Sequence, residues 1–342
     1  ATTSVEATSP RAAVYAARAI ADFAVLAAGR KRTLLPLTIA DAPAFKLRGV
    51  IEGFYGPPYA DADRATLLQV MGELRQNTFV YAPQNDDFAA ANWFALYDDA
   101  SAQPLEHAVA VAAGEGIDFV YGIRPGQGRF YPSTQPIRYS SDDDFATLTA
   151  KLDQVRGWGV TQFGIFFDDE VPDLLDDTDL ATFGSLAEAQ AFLLNRVDDY
   201  LRAVEPSAQL YTIGTHYSSA DSDWQSYSQA LSAALHPTVP VMWTGQATYS
   251  TTISAADLAP VTAALGAPPI IWDNWPQKID GLDGRSADVA TATRGFLSNA
   301  VLSSWQKNPL EDFLEVLGTI GRYTWAPATY DPTLAWNLWN SD

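Results

Sequence analysis

Short apolar runs alternate with longer helix-like segments along most of the chain. From residue 48 onward, β-branched and aromatic residues cluster in short runs, and most of these runs are separated by a helical pattern. This alternation is typical of repeated βα units that build a parallel sheet. Eight runs are predicted as strands, at residues 48–52, 78–82, 118–122, 162–167, 209–213, 239–243, 269–272 and 295–298. Eight such repeats predict an α/β fold of the (β/α)₈ TIM barrel type.

The residues before the first repeat follow a different pattern. The Ala-rich segment 11–29 ends at a glycine and predicts a helix, and the run at 33–39 predicts a strand. We interpret residues 1–45 as the helix and strand remnant of a preceding small domain. Residues 46–342 then form the barrel, with a closing helix over 310–323 and a Trp-rich tail.

Charge and composition narrow the possible partners. The formal net charge of −20 repels phosphate backbones and anionic membranes, which argues against nucleic acid and acidic lipid and favours a neutral ligand. The chain has no cysteine, and its three histidines lack metal-ligand spacing, so neither a metal nor another cofactor is predicted. No uncharged apolar run reaches the ~18–20 residues of a membrane span.

The carboxyl ends of the predicted strands are rich in polar and aromatic residues, and barrels of this type form their active sites there. In FGIFFDDE, a strand runs directly into Asp168, Asp169 and Glu170. Mutual repulsion and desolvation raise at least one carboxyl pKa, and a protonated acid beside an ionised partner suits glycoside hydrolysis. The same pattern is equally compatible with acids that cap the next helix or face solvent.

Aromatic residues at two other strand ends suggest a carbohydrate-binding surface. Trp243 and Trp272 offer flat faces for a sugar ring, with Tyr217 and Asn274 beside them as hydrogen-bond partners. The alternative is that both tryptophans belong to the core, where large aromatic side chains are common. The PGQGRF turn lacks the strand-to-helix phosphate fingerprint and is interpreted as an ordinary loop.

At these residues the chain resembles glycoside hydrolase family 84, the β-N-acetylglucosaminidases that include O-GlcNAcases and bacterial hyaluronidase-like enzymes. The segments RGVIEGFYGPPY, NTFVYAPQNDD and KLDQVRGWGVTQFGIFFDDE resemble the family's first, second and fourth strand motifs. The shorter motifs THY, VMWTG, PPIIWDN, GRS and LSNA follow in the family's order, and TWAPATYDPTLAW resembles the end of its catalytic region. The likeness covers most of the chain.

The resemblance implies a retaining, substrate-assisted mechanism in which the sugar's own acetamido oxygen attacks the anomeric carbon. It assigns Asp168 to the acetamido N–H and Asp169 to proton transfer at the leaving oxygen. Together with the tryptophans, it gives a predicted substrate-binding set of Gly53, Tyr55, Gln84, Tyr217, Trp243, Thr244, Trp272, Asn274, Asp280 and Asn299. In this set, Tyr217 matches the residue that binds the acetamido oxygen.

Two positions depart from the family pattern. Gln84 replaces a cation with a neutral amide, because the family usually has a lysine there. The loop after Asn274 reads WPQKIDG and is shortened, which leaves Asp280 as an approximate counterpart of the aspartate that binds a terminal sugar's outer hydroxyls. Three functions stay open: an exo-acting β-N-acetylglucosaminidase, an enzyme acting within an acetamido polymer or on another 2-acetamido sugar, and an inactive carbohydrate-binding barrel.

The expected partner is a carbohydrate, glycoprotein or polysaccharide that carries 2-acetamido sugars. We expect a secreted or extracellular bacterial protein, with the cytoplasm as the alternative, since the start ATTSVEATSP lacks the order of a signal peptide. The sequence makes no prediction about the oligomeric state.

Overall fold

Eight parallel strands form a closed barrel in the computed structural model, which describes residues 4–29, 38–274, 282–301 and 310–340. The strands are β1 (Leu47–Glu52), β2 (Thr78–Tyr81), β3 (Asp118–Ile123), β4 (Gln162–Phe166), β5 (Gln209–Ile213), β6 (Val241–Trp243), β7 (Ile270–Asp273) and β8 (Gly295–Asn299). Each strand pairs with the next, and the ring closes where Ile51 of β1 aligns with Asn299 of β8. The predicted (β/α)₈ TIM barrel and its eight strands are confirmed.

Helices cover the outside of the barrel. They are α1 (Pro10–Gly29), α2 (Asp61–Glu73), α3 (Asp99–Glu115), α4 (Asp142–Gly157), α5 (Asp177–Thr182), α6 (Leu186–Val204), α7 (Trp224–Ala234), α8 (Ala255–Leu265), α9 (Val289–Ala292), α10 (Leu310–Trp325) and α11 (Pro332–Trp339). Short polar side chains begin several of them, because the first backbone N–H groups of a helix lack partners within it. The Ser141 hydroxyl accepts from Asp144 N at α4, and Ser185 accepts from Glu188 N at α6. Among the described residues, no helix combines the length and the apolar character needed to cross a bilayer.

The strands separate two apolar layers, because successive side chains of a strand point to opposite faces. The inner layer fills the barrel and includes Ile51, Phe166, Met242 and Trp272. The larger outer layer packs the strands against the helices and includes Trp243. The side of the sheet on which a strand-end residue lies therefore decides whether it can reach the barrel opening.

The first helix lies against the end of the barrel where the strands begin. Arg11 forms an ion pair of 2.8 Å with Asp118, at the start of β3, and Arg18 forms one of 2.6 Å with Glu115, at the end of α3. The helix matches its prediction, whereas most of the strand predicted over 33–39 lies outside the described residues. The division of the chain at residue 45 stays a prediction.

The carboxyl-terminal helices also match the sequence pattern. The closing helix α10 is followed by α11, and the Trp339 indole N–H donates 2.7 Å to the Leu314 carbonyl oxygen. Gly318 permits this packing, because a Cβ there would lie 2.1 Å from Cδ2 of Trp339. The Trp-rich tail thus packs against the outer helical layer, away from the carboxyl ends of the strands.

Candidate active site

A cavity of about 690 Å³ lies at the carboxyl ends of the strands. Ten of the twelve residues that the sequence predicted for the site line it: Gly53, Tyr55, Gln84, Asp168, Asp169, Tyr217, Thr244, Trp272, Asn274 and Asn299. They come from the ends of six strands, β1, β2, β4, β5, β7 and β8, and from the loop after β6. Their roles in binding or chemistry stay predictions, but their common location is a structural fact.

The two aspartates enter one cavity because the chain turns sharply between them. Strand β4 ends at Phe166, and Asp169 has a φ of 57°, in the left-handed region. Aspartate is one of the few non-glycine residues that adopt this region with some frequency. Without such a turn, the alternation of a strand would direct adjacent side chains to opposite faces.

Asp168 is nearly buried and is bound by two side chains from neighbouring strand ends. Gln84 Nε2 donates 2.9 Å to Oδ2, while Arg124 donates from Nη2 to Oδ2 over 3.1 Å and from Nε to Oδ1 over 3.3 Å. Burial raises the pKa of the Asp168 carboxyl; the Arg124 guanidinium opposes this rise and nearby Asp169 adds to it. The net direction is upward, so Asp168 gains its charge at a higher pH than an exposed aspartate does.

Asp169 receives a tyrosine hydroxyl on each carboxylate oxygen. Tyr55 donates 2.7 Å to Oδ2, and Tyr217 donates 2.8 Å to Oδ1. Burial raises the pKa of both phenols, and the charge of Asp169 raises it further, so both tyrosines remain protonated donors at neutral pH. The adjacent aspartates therefore have different partners: an arginine and an amide for the first, two hydroxyls for the second.

An indole and two amides form the opposite side of the cavity. Trp272 Nε1 and Asn299 Nδ2 each donate 2.9 Å to Asn274 Oδ1, and Asn299 Oδ1 accepts from Gly53 N over 3.0 Å. A Cβ on Gly53 would lie 2.7 Å from Cζ2 of Trp272, so the indole can occupy this place only beside a glycine. The result is a rigid apolar surface edged by amide groups.

Thr244 lies next to Tyr217 and fixes the loop that bears it. Thr244 N donates 3.1 Å to the Tyr217 carbonyl oxygen, and its hydroxyl approaches the same oxygen at 3.4 Å. Only 2% of Thr244 is exposed. Thr244 is therefore a buried part of the cavity lining beside the tyrosine.

The prediction that Trp243 lines the cavity is wrong. Trp243 is 1% exposed, belongs to the outer apolar layer, and donates its indole N–H to Ser219 Oγ over 3.1 Å. Its neighbour Met242 faces the barrel interior instead, because the two residues alternate along β6. Asp280, the remaining predicted residue, lies outside the described residues.

Sequence analysis missed Arg124, which directly follows β3 and is 5% exposed. Its position at a strand end is the signal that could have identified it, since polar residues at the other strand ends line the cavity. The contact with Asp168 itself joins residues 44 positions apart and has no local sequence signature.

The PGQGRF loop is also more than the ordinary loop that the sequence suggested. Arg129 N donates 2.8 Å to the Asp169 carbonyl oxygen, and Arg129 Nε donates 2.8 Å to that of Glu170. Gly126 N donates 2.9 Å to the Glu170 carboxyl group, whose pKa burial raises well above the usual range. Phe130, 55% exposed, lies at the cavity edge with its ring 5.5 Å from that of Tyr55. This loop supports the backbone that presents the aspartates.

Comparison with known proteins identifies the family that the chain matches. Residues 48–340 match the family described as beta-N-acetylglucosaminidase. The "Protein O-GlcNAcase" of Rattus norvegicus is 30% identical over 266 residues, which is 74% of this chain and 28% of that protein. The protein of the same name from Mus musculus is 30% identical over 265 residues, with the same coverage. This chain thus spans 28% of the length of these relatives.

Two solved structures share the architecture. A mutant of the O-GlcNAc hydrolase of Thermobaculum terrenum superposes with a TM-score of 0.80 at 28% identity, covering 87% of this chain and 63% of the other. The protein CpGH84B superposes with a TM-score of 0.75 at 22% identity, covering 87% and 51%. At that identity, the second likeness concerns the fold alone.

Proposed function

The chain belongs to the beta-N-acetylglucosaminidase family, and from this premise we propose that it is a retaining glycoside hydrolase that removes β-linked N-acetylglucosamine. The membership confirms the resemblance to glycoside hydrolase family 84. The observation that carries the proposal is the pair Asp168 and Asp169, which share one cavity but have different hydrogen-bond partners. Two carboxyl groups in different environments can perform two different roles at one pH.

In the proposed reaction, the substrate supplies its own nucleophile. The acetamido oxygen forms a bond to the anomeric carbon as the glycosidic C–O bond breaks, and the leaving oxygen takes a proton from Asp169. The ionised Asp168 accepts the acetamido N–H and stabilises the positive charge that develops on the oxazoline. Water then attacks the anomeric carbon and gives a proton to the carboxylate of Asp169, while the bond from that carbon to the acetamido oxygen breaks. This restores the acetamido group and the acid form of Asp169 and gives a product with the original anomeric configuration.

Substrate binding must rearrange the hydrogen bonds around Asp169. Both of its oxygens accept a tyrosine hydroxyl in this structure, whereas a general acid needs one oxygen for its own proton and for the glycosidic oxygen. We assign the rearrangement to Tyr217, because it lies beside the buried Thr244 in the cavity lining and matches the residue that binds the acetamido oxygen in the family that the sequence resembles. There its hydroxyl would turn from Asp169 to the acetamido oxygen and support its attack.

The direct test is hydrolysis of an aryl β-N-acetylglucosaminide, followed by release of the aryl alcohol. We expect turnover by the wild-type chain and its loss in a variant that carries both Asp168→Asn and Asp169→Asn. A folded chain with no turnover on aryl substrates, but with calorimetric binding of the sugar, would contradict the proposal and favour a binding barrel. The configuration of the first product, read by NMR, tests retention separately.

A second candidate is action within an acetamido polymer. Gln84 donates to Asp168, so the amide that replaces the family's lysine is directed to the catalytic pair. In the sequence, the loop after Asn274 is also shortened and has Asp280 as only an approximate counterpart of the aspartate that binds a terminal sugar's outer hydroxyls. Fewer contacts to a terminal sugar would place fewer constraints on a further sugar unit. Digestion of N-acetylated polysaccharides distinguishes the two modes, since release of monosaccharide alone excludes internal cleavage.

The natural substrate belongs to the same proposal. The names of the rodent relatives point to proteins that carry O-linked N-acetylglucosamine, and secreted glycoproteins or polysaccharides are the alternatives. We propose a neutral or weakly charged glycoconjugate, because the net charge of −20 disfavours strongly anionic ones. We also propose that the protein acts outside a bacterial cell; fractionation of the source culture tests this. Initial rates on a glycopeptide and a chitooligosaccharide rank the substrate classes.

A further inference from the structure

Arg124 forms the closest charged contact of the buried aspartate. Its guanidinium donates to both oxygens of Asp168, and its third nitrogen, Nη1, donates 2.7 Å to the Ala82 carbonyl oxygen at the end of β2. The guanidinium also lies 5.7 Å above the ring of Phe166, and the backbone N of Arg124 donates to Ala89 O over 2.7 Å. All three guanidinium nitrogens therefore have fixed partners, which defines one orientation of the group.

Gln84 completes this arrangement without adding charge. Its amide lies 2.9 Å from the Asp168 Oδ2 atom that also accepts from Arg124 Nη2. A lysine ammonium at position 84 would reach the same oxygen and would lie close to the guanidinium. Two cations at one carboxylate in a buried site repel each other, whereas an amide and a guanidinium do not. A neutral residue at 84 and a cation at 124 are thus mutually compatible.

We propose that Arg124 is the positioning residue that keeps Asp168 ionised and oriented, and that it provides from β3 the positive charge that Gln84 cannot provide from β2. This inference rests on the proposed function, because it concerns the aspartate that binds the acetamido group. Arg124 acts through Asp168 and is not a catalytic residue. The pair of positions 84 and 124 then determines the pH range in which the enzyme works.

The charged groups around Asp168 predict the direction in which the pKa of Asp168 changes when Arg124 is removed. Asp169 and Glu170 face Asp168 from its own loop, Tyr55 faces it from the end of β1, and Tyr217 faces it from the end of β5. As anions, all four would disfavour its charge. Burial acts in the same direction. Arg124 is the cation that lowers the pKa of Asp168, and its removal leaves only hydrogen bonds, such as that from Gln84, to oppose burial and the nearby acidic groups. The pKa of Asp168 should therefore rise in its absence.

The test compares the pH profiles of kcat/KM for Arg124→Gln, Arg124→Lys and the double variant Q84K/R124Q. If ionised Asp168 is required, the acidic limb of the profile reports its ionisation in the unliganded enzyme. For Arg124→Gln we expect this limb to move upward by about 1–3 pH units. We also expect a loss of roughly 10²-fold in kcat/KM, as for a misplaced catalytic group. Arg124→Lys should keep the limb in place, because it keeps the charge.

The double variant Q84K/R124Q tests whether the cation beside Asp168 can come from position 84 as well as from position 124. Gln84→Lys in the Arg124→Gln background returns a cation to Asp168 from the neighbouring strand end, so the limb should move back toward its original pH. Gln84→Lys alone, which adds a second cation, should leave the limb where it is or lower it. If the acidic limb of the double variant stays at the pH of the Arg124→Gln limb, a cation at position 84 cannot replace the one at position 124, and that part of the proposal is overturned.

A matched control separates this effect from loss of a buried ion pair. Arg285→Gln removes an arginine that contacts Asp273 at 2.6 Å, with both side chains buried and neither in the cavity lining. It should lower the melting temperature and leave the acidic limb unchanged. An unshifted limb in Arg124→Gln, or an equal shift in Arg285→Gln, overturns the inference. An inactive wild-type chain instead contradicts the proposed function, so the two failures are distinguishable.

Discussion

The hydroxyl of Tyr217 donates a 2.8 Å hydrogen bond to Oδ1 of Asp169, the carboxyl group proposed to transfer the proton. Tyr55 donates to the other oxygen of the same group over 2.7 Å. The two phenols are therefore equivalent toward Asp169 in this structure. They differ in their surroundings, because Tyr217 lies beside the buried Thr244 whereas Tyr55 contacts the exposed Phe130.

This difference predicts different kinetic effects of two identical substitutions. Tyr217→Phe should lower kcat by roughly 10²–10³-fold for good and poor leaving groups alike, because it removes a donor to the acetamido oxygen in every reaction. Tyr55→Phe should be most harmful for poor leaving groups, since its hydroxyl acts through Asp169. A series of aryl substrates with graded leaving groups measures both effects. Equal slopes against leaving-group pKa in the two variants would show that the tyrosines do not divide these roles.

The two tryptophans at strand ends provide a second matched comparison. Trp272→Ala should raise KM for the aryl glycoside, because it removes a side of the sugar-binding cavity. Trp243→Ala should cost about 3–5 kcal/mol in the free energy of unfolding, as for other buried tryptophans, with little effect on the KM of the folded fraction. Urea unfolding and initial rates on each variant test the distinction. A large KM increase in Trp243→Ala would contradict the assignment of Trp243 to the outer apolar layer alone.

The same pair of residues shows what the sequence could predict. The strands were predictable because each apolar run is short, β-branched or aromatic, and separated from the next by a helical pattern. The strand-end rule then located Trp272 and the two aspartates in the cavity. The strand-end rule failed for Trp243, because successive side chains of a strand lie on opposite faces of the sheet. In a strand with apolar residues on both faces, the sequence does not reveal which face lies inside the barrel.

Contacts between side chains of different strand ends could not be predicted from the sequence, for a different reason. Gln84 was expected to contact substrate, yet its amide donates to Asp168, and Arg124, which shares that carboxylate, was not expected at all. Both contacts depend on which side chains of β2, β3 and β4 converge, and this follows from the register of the closed barrel. A single sequence contains no local signal for that register.

Glu170 should make stability depend on pH. Burial, followed by repulsion from Asp168, raises the pKa of Glu170 well above its usual range. The folded protein then keeps a proton that the unfolded chain has released, so this contribution to stability is full below about pH 4.3 and declines as pH rises through the folded pKa. Within that window, the loss is at most about 1.4 kcal/mol per pH unit.

The variant Glu170→Gln tests this linkage, because the amide is neutral at every pH and retains an oxygen that can accept from Gly126 N. Its free energy of unfolding, from urea titrations between pH 4.5 and 7.5, should decline less steeply with rising pH than that of the wild type. Glu106→Gln, at an exposed position on α3, is the control and should keep the wild-type slope. A Glu170→Gln slope equal to that of the wild type would mean that Glu170 is ionised in the folded protein.

The final prediction separates the roles of the adjacent aspartates by their dependence on the leaving group. Asp169→Ala should slow substrates with poor leaving groups by roughly 10²–10⁴-fold and largely spare those whose aglycone departs without a proton. Asp168→Asn should slow all substrates, because each must form the oxazoline with the help of this carboxylate. Azide should partly restore the rate of Asp169→Ala by attacking the oxazoline without a general base. It should do little for Asp168→Ala, in which that intermediate hardly forms. Both side chains are carboxyl groups, so only their different partners assign them different roles. Identical leaving-group profiles for the two variants would therefore remove the assignment, and azide rescue of the Asp168 variant alone would reverse it.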